Sequence, residues 1–226
     1  MPFPTIARLD FVALDHDPAG AVALHFRARK PLAYRARQHG LWFVPGGGAK
    51  PFTIASAPEE EVVTLGTSLA SGSRFKRALA ALAPGDTIRL FAPLARFTLD
   101  GVGHEVVLLA QGLGVTPFRA ILRHAALRGL ATQITLVHVG KEHAFRADTA
   151  VATAAHYPAS REEFARQVAA IAAAQPGATY FISGASGFVR DTAALLRERG
   201  IAPAQIRRDT FFGIADDRAR SGLALA

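Results

Sequence analysis

Two short stretches hold residues whose types and spacing could do chemistry. In KPFTIASAP, Lys50–Pro58, two hydroxyls, Thr53 and Ser56, interrupt a strand-like apolar run with an aromatic at Phe52. Such hydroxyls either satisfy their own backbone or face a ligand. The second stretch is Gly112-Leu113-Gly114-Val115-Thr116-Pro117, directly after an apolar run. Gly112 and Gly114 permit a tight turn and a close approach of the backbone to a ligand. Pro117 suits the first turn of a helix, where its missing N–H is not needed. A helix starting there would aim unpaired N–H groups and a partial positive charge at an anion such as a pyrophosphate. The third glycine of the dinucleotide fingerprint is replaced by proline, and a glycine turn between strand and helix is often purely structural.

The elements that must position these stretches follow two patterns. Through about residue 100 the chain alternates polar and apolar positions in short runs: Ile6–Leu14, Val22–Ala28, His39–Val44, Lys50–Ser56, Val62–Ser68, Thr87–Phe91 and Phe97–Leu99. A single helix fits Ser73–Leu82. Many short strands joined by turns predict an antiparallel β-barrel. After Asp100-Gly101 strands alternate with helices: strands at Glu105–Ala110, Gln133–Val139, near Tyr157, at Ala178–Ser183 and Ile206–Phe211, with helices at Thr116–Arg128, Arg146–Thr149, Arg161–Ala174 and Phe188–Arg199. That alternation predicts a parallel sheet covered on both faces. The expected organisation is a barrel domain over 1–101, an α/β domain over 102–214 and a tail over 215–226.

Composition narrows the chemistry. Half of the 226 residues are hydrophobic, enough for a sizeable core. There is no cysteine, which excludes disulfides, thiolate metal sites, iron–sulfur ligation and thiol redox chemistry. Any redox role therefore needs a bound cofactor. The net charge of +8 points to an acidic partner or anionic ligands, or to a basic residue set that serves solubility alone. The basic residues are scattered, without the motifs of nucleic-acid binding. The eight histidines show no ligand spacing, so no metal site is expected. No run is long enough for a membrane span and the N-terminus has no leader-like apolar region, so a cytoplasmic protein with no membrane partner is expected.

Taken together, the stretches resemble the ferredoxin–NADP⁺ reductase family, in which a flavin-binding barrel precedes a nicotinamide-nucleotide domain. The family's flavin motif, Arg-x-Tyr-Ser followed by another hydroxyl, corresponds to Lys50-Pro51-Phe52-Thr53 and Ser56. Its nucleotide motif, Gly-x-Gly-[Ile/Val]-[Thr/Ala]-Pro, is matched in full by GLGVTP. The serine at the start of the barrel helix corresponds to Ser73, preceded by Gly72 and followed by Phe75. The acidic residue and aromatic–glycine pair at the last strand correspond to Asp209, Phe212 and Gly213. The match runs in order over about residues 5–214.

The resemblance implies that Lys50 neutralises flavin phosphates, that Phe52 lies against the isoalloxazine ring, and that Thr53 hydrogen-bonds near the hydride-accepting N5. Ser73 and adjacent N–H groups would hold the pyrophosphate. Thr53, Asp209 and Phe212 become the candidate catalytic residues. Ser183-Gly184 stands where plant-type members carry Cys-Gly beside the nicotinamide. Lys50 in place of Arg loses bidentate phosphate recognition, and Phe52 lacks a hydroxyl. Ser160-Arg161-Glu162 resembles the segment that holds the 2′-phosphate of NADP, although Ser160 with Glu163 also reads as a capping box. The implied activity is a FAD-dependent oxidoreductase that takes hydride from NADPH, with NADH as the other donor. Its electrons would go to a small acidic carrier protein or an oxygenase component. A free-flavin or ferric reductase, and a non-catalytic flavin subunit, are the alternatives.

Overall fold

The computed structural model describes residues 4–94 and 103–211. Six strands form the first sheet: β1 (Thr5–His16), β2 (Val22–Ala28), β3 (His39–Val44), β4 (Gly48–Thr53), β5 (Val63–Thr67) and β6 (Thr87–Leu94). Their order is β4-β3-β6-β1-β2-β5 and every pair is antiparallel. Its strands, with side chains of period two, bury one face against the core, and the right-handed twist of the strands curls the sheet around it. In β3, Trp42 and Val44 point inward while Leu41 and Phe43 are half-buried. Helix α1 (Arg74–Ala80) closes one end with Phe75 and Leu79. Pro51, which has no N–H to give, lies on the edge strand β4 opposite Leu41.

The expected strand Lys50–Ser56 ends at Thr53, because the chain then changes partner. Thr53 pairs with His39 of β3. Ile54 N–H donates to the Gln38 carbonyl at 2.9 Å, and Ala55 N–H donates to the Thr64 carbonyl of β5 at 2.8 Å. The segment thus bridges the two edge strands and seams the curled sheet. Strand β6 runs on to Leu94, and the expected strand Phe97–Leu99 and the boundary near residue 101 lie outside the described residues.

The second sheet contains β7 (Glu105–Gln111), β8 (Gln133–Val139), β9 (Ala154–His156), β10 (Thr179–Ala185) and β11 (Ile206–Phe211), all parallel, in the order β11-β10-β7-β8-β9. Val106–Ala110 are fully buried, as a central strand covered on both faces requires. Helix α2 (Thr116–Arg128) packs on one face through Phe118, Ile121 and Leu122. Helices α4 (Arg161–Ala174) and α5 (Ser186–Glu198) cover the other through Phe164, Val168, Val189 and Leu196. A one-turn helix, α3 (Arg146–Thr149), follows β8. Strand order reverses between β7 and β10, and ligands of such sheets bind outside the carboxyl ends at that switch. No helix among the described residues is long and apolar enough to cross a membrane.

The two sheets are joined by polar contacts and close packing. Arg119 of α2 donates to the Ala55 carbonyl at 2.9 Å and to both Glu60 oxygens at 3.0 and 3.1 Å. Its Nη2 also reaches Asp148 at 3.2 Å. Phe145 N–H donates to Asp17 Oδ2 at 2.9 Å. Gly66 of β5 leaves no room for a side chain: a Cβ there would lie 2.8 Å from Thr116 Cγ2 and 2.9 Å from Phe145 Cζ.

His138 anchors the turn after β7 from the neighbouring strand. It is fully buried, and its Nε2 lies 2.9 Å from the Gly112 carbonyl, so the neutral ring carries its proton on Nε2. Burial pushes its pKa down to about 4, only partly opposed by the Gly112 hydrogen bond. Because the folded value lies below the unfolded one, the native chain binds fewer protons between them. Stability is therefore intact above about pH 6.5 and declines as pH falls toward 4, by roughly 3 kcal/mol from this group. Denaturant unfolding of the wild type and His138→Gln, which keeps an N–H donor, should show a shallower acid decline in the variant. Parallel pH dependences would exclude His138 as a source.

Candidate functional site

The barrel's contribution begins just before β3. Arg37 has φ +78°, a left-handed conformation that is uncommon for a non-glycine residue and disfavoured unless its surroundings fix it. Its side chain is fully buried, and the guanidinium lies 4.6 Å from the ring centre of Phe181 and 5.8 Å from that of Phe118. Its Nη2 is 3.9 Å from Asp209 Oδ2 of β11. Burial lowers its pKa to about 9 and Asp209 opposes this, so it remains a cation at neutral pH. His39, the first residue of β3, places Nε2 3.2 Å from Thr53 Oγ1 and 3.8 Å from Asp209 Oδ1. Burial lowers its pKa as well, with Arg37 adding to the effect and Asp209 opposing it. Strand pairing of β3 with β4 sets His39 opposite Thr53, and the parallel register of β10 with β11 sets Ser183 beside Asp209.

A second group lies around β4 and α1. The ring of Phe52 stacks on Phe75, with centroids 5.5 Å apart and planes inclined by 22°. The Lys76 ammonium lies 4.7 Å from the Phe52 ring centre and donates to Thr67 Oγ1. Burial, and then the charge of Lys50, lower the Lys76 pKa to about 8. Two ammonium groups close enough to oppose each other favour an anion between or beside them. Ser73 is the N-cap of α1, accepting from Lys76 N–H at 3.4 Å. Gly72 before it is left-handed, φ +56°, and Arg77 donates to its carbonyl.

A third group lies at the switch between β7 and β10. Gly112–Val115 form a 3₁₀ turn that runs into α2 at Thr116, with Gly112 left-handed at φ +52°. A Cβ at Gly114 would overlap the Ser183 carbonyl, so the turn after β7 lies against β10 only because this residue is glycine. At Gly184 a Cβ would lie 2.9 Å from Phe188. The first turn of α2 has neither a side-chain cap nor an acidic residue; Thr116 N–H donates to the Leu113 carbonyl of the turn before it, and Pro117 has no N–H to satisfy. Ser183 Oγ is buried and has no hydrogen-bond partner among the described residues. At the end of β9, Tyr157 packs edge-on to His143 and His138, with the Arg146 guanidinium 4.6 Å from its ring centre. Ser160 and Arg161 follow; both are exposed, and no ion pair involves Arg161 among the described residues.

Thr53 and Asp209 meet through His39, while Gly112, Gly114, Ser183 and Gly184 meet at the sheet's switch point. Lys50, Phe52, Gly72, Ser73 and Phe75 gather at the rim of the barrel. Ser160 acts as the cap of α4, accepting from Glu163 N–H at 3.1 Å while Glu163 accepts from Ala159 N–H. Two hydroxyls are turned inward instead. Ser56 is fully buried, its oxygen 2.9 Å from Tyr34 OH and accepting from Thr64 N–H at 3.0 Å, so its geometry assigns it to the barrel seam. Thr116 Oγ1 donates to the Leu113 carbonyl at 3.0 Å and braces its own loop. Pro117 is buried in the first turn of α2. Phe212 and Gly213 lie outside the described residues.

Arg37, His39 and Lys76 were not singled out from the sequence. In the sequence Arg37 is one of the scattered basic residues and His39 simply opens the strand His39–Val44; only the folded arrangement brings them against β11. The residues present fit a flavin and a dinucleotide. A cation pair stands beside an aromatic ring at the barrel rim. Glycines let the turn after β7 lie against β10 at the switch, and buried polar atoms on Ser183, His39 and Asp209 lack hydrogen bonds there.

No family model matches the chain. Among curated proteins it is 29% identical over 153 residues to a flavohemoprotein of Bacillus subtilis (strain 168), covering 58% of this chain and 38% of that protein. It is 26% identical over 210 residues to the ferredoxin reductase component of 3-ketosteroid-9-alpha-monooxygenase from Rhodococcus rhodochrous, covering 84% of this chain and 59% of that one. The chain thus spans about two fifths to three fifths of these relatives. Among solved structures, a ferredoxin NADP⁺ reductase from Neisseria gonorrhoeae with bound FAD and NADP superposes with a TM-score of 0.73 at 16% identity, over 92% of this chain and 99% of that one. The curled antiparallel sheet, the separate parallel sheet and these likenesses agree: the chain has the fold of ferredoxin–NADP⁺ reductase-like FAD/NAD-binding proteins, and such proteins are its relatives and structural neighbours.

Proposed function

We propose that the chain is a FAD-dependent NAD(P)H oxidoreductase that passes electrons to a separate carrier protein or oxygenase component. The observation that carries this reading is one unbroken line of contacts across the two sheets. Gly114 abuts Ser183, Ser183 is the register partner of Asp209, Asp209 lies beside His39, and His39 reaches Thr53. A nucleotide held at the β7–β10 switch would present its reactive end to a flavin held at Thr53. The flavin, when bound, supplies hydride acceptance and the release of electrons to the next carrier.

The protein's own residues bind and orient. Lys50 and Lys76 would oppose the flavin's phosphates, with Ser73 beside them, and Phe52 would limit the ring pocket. The glycine turn after β7, at the start of α2, would receive the nucleotide pyrophosphate against its backbone. Ser183 and Gly184 would line the nicotinamide end. The net charge of +8 suits an acidic carrier, and relatives named as a ferredoxin reductase component and a flavohemoprotein suit transfer to a metalloprotein partner, here in the cytoplasm.

Purified chain incubated with FAD should turn yellow, retain the flavin through gel filtration, and bleach when NADPH or NADH is added without air. A chain that takes up no flavin would remove the reading. Flavin that is reduced but lost on gel filtration would indicate a free-flavin reductase instead.

Ser160 and Arg161 are the proposed site of the NADPH 2′-phosphate. The N-cap and the anion site coincide, since a helix start both needs acceptors for its N–H groups and attracts phosphate. Arg161→Ala should raise KM for NADPH by about ten- to a hundredfold, the worth of one charge-assisted contact, while leaving KM for NADH nearly constant. Equal changes for both nucleotides would leave Ser160 as a cap only and make NADH the donor.

A further inference from the structure

We propose that His39 is the positioning residue that fixes the direction of the Thr53 hydroxyl, making Thr53 a hydrogen-bond donor toward the site. The inference rests on the flavin reading for its consequence, but its geometry is a property of the protein alone. His39 Nε2 faces two oxygens, Thr53 Oγ1 at 3.2 Å and Asp209 Oδ1 at 3.8 Å, while Nδ1 is buried with no hydrogen-bond partner among the described residues. Two arrangements are open to a neutral ring. If Nδ1 holds the proton, a buried N–H is left unsatisfied, and a bare Nε2 lone pair confronts a carboxylate. If Nε2 holds it, the N–H points at both oxygens and no donor is left without an acceptor. An unmet buried donor and two facing lone pairs are both unfavourable, so the Nε2–H form is selected.

The hydroxyl follows from the ring. With Nε2–H donating into Thr53 Oγ1, the hydroxyl proton cannot also lie on that axis. It turns away from His39 and is available to an acceptor. A threonine alone is ambiguous, since its rotor can give or take. A hydride acceptor builds up negative charge as it is reduced, and a preset donor favours that state over the ground state. Asp209 favours that ring state, and Arg37, buried with its Nη2 3.9 Å from Asp209 and its guanidinium over Phe181, stands behind that side chain. The three barrel residues sit on β3, its approach and β4, whereas Asp209 sits on β11. The donor state of Thr53 therefore depends on the second sheet being docked.

The tautomer can be read without any cofactor, by nitrogen-15 NMR of histidine-labelled protein, with His39 assigned by its loss in His39→Gln. The expected result is a neutral Nε2–H ring in wild type that shifts toward Nδ1–H in Asp209→Asn. An Nδ1–H ring in wild type overturns the proposal, whether or not the chain binds flavin. On FAD-loaded protein, His39→Leu should slow reduction by NADPH about tenfold, with flavin affinity and KM little changed. His39→Gln, which still offers an N–H, should recover most of that loss. The double variant His39→Leu/Thr53→Ala should be no slower than Thr53→Ala, since both remove one device. Losses that multiply in the double variant, or no loss in His39→Leu, would overturn it. Absence of flavin uptake would remove the flavin reading, while the ring state of His39 measured by NMR would still decide the tautomer.

Discussion

The site's geometry depends on where Arg119 is held. Its guanidinium sits at the join of the sheets and satisfies the Ala55 carbonyl, both oxygens of Glu60 and Asp148 at once. A buried cation is tolerable only when so fully answered, and removing one partner of such a pair typically costs about 3–5 kcal/mol. The consequence is positional. Ala55 lies two residues past Thr53, and Arg119 lies five past Gly114, so one side chain fixes the barrel seam against the glycine turn after β7. Asp17 at Phe145 N–H and the absence of a side chain at Gly66 hold the same join from the other side.

The charged groups near Thr53 serve a different end. Asp209 lies 3.9 Å from Arg37 and 3.8 Å from the His39 ring, beyond hydrogen-bond length, and Asp209 Oδ2 has no hydrogen bond among the described residues. A join meant only for strength would close those distances, as Arg119 and Glu60 do. Arg37 also accepts an unfavourable backbone conformation to reach its place. Incomplete polar satisfaction and local strain, gathered at one crevice, are the marks of a place arranged for a ligand.

Much of this was legible in the sequence, for identifiable reasons. The period-two runs marked the antiparallel strands, and the continuous apolar run Val106–Ala110 marked a strand buried on both faces. Ser160 with Glu163 declared the start of α4 through local chemistry alone. GLGVTP could be placed because glycine, proline and the preceding strand are all neighbours in the chain. What was not legible depends on distant pairing. Ser56 reads like Thr53 in sequence, yet the switch of partner from β3 to β5 between them turns one into the seam and leaves the other at the site. Arg37 is one scattered basic residue among several and His39 merely opens a strand until β11 arrives from more than 160 positions away. Lys76 carries no local signal of its closeness to Phe52.

Pro51 has a consequence for how the molecule avoids itself. Strand β4 is an outer strand, and an unguarded outer strand offers a template to any other extended chain. Pro51 removes one donor from that template, exposed Lys50 adds a charge that a second identical copy would repel, and Gly48, left-handed at φ +86°, bends the ribbon at its start. Strand-to-strand self-association is thereby discouraged along the very rim where Lys50 and Phe52 stand, and that rim stays open to a small anionic molecule.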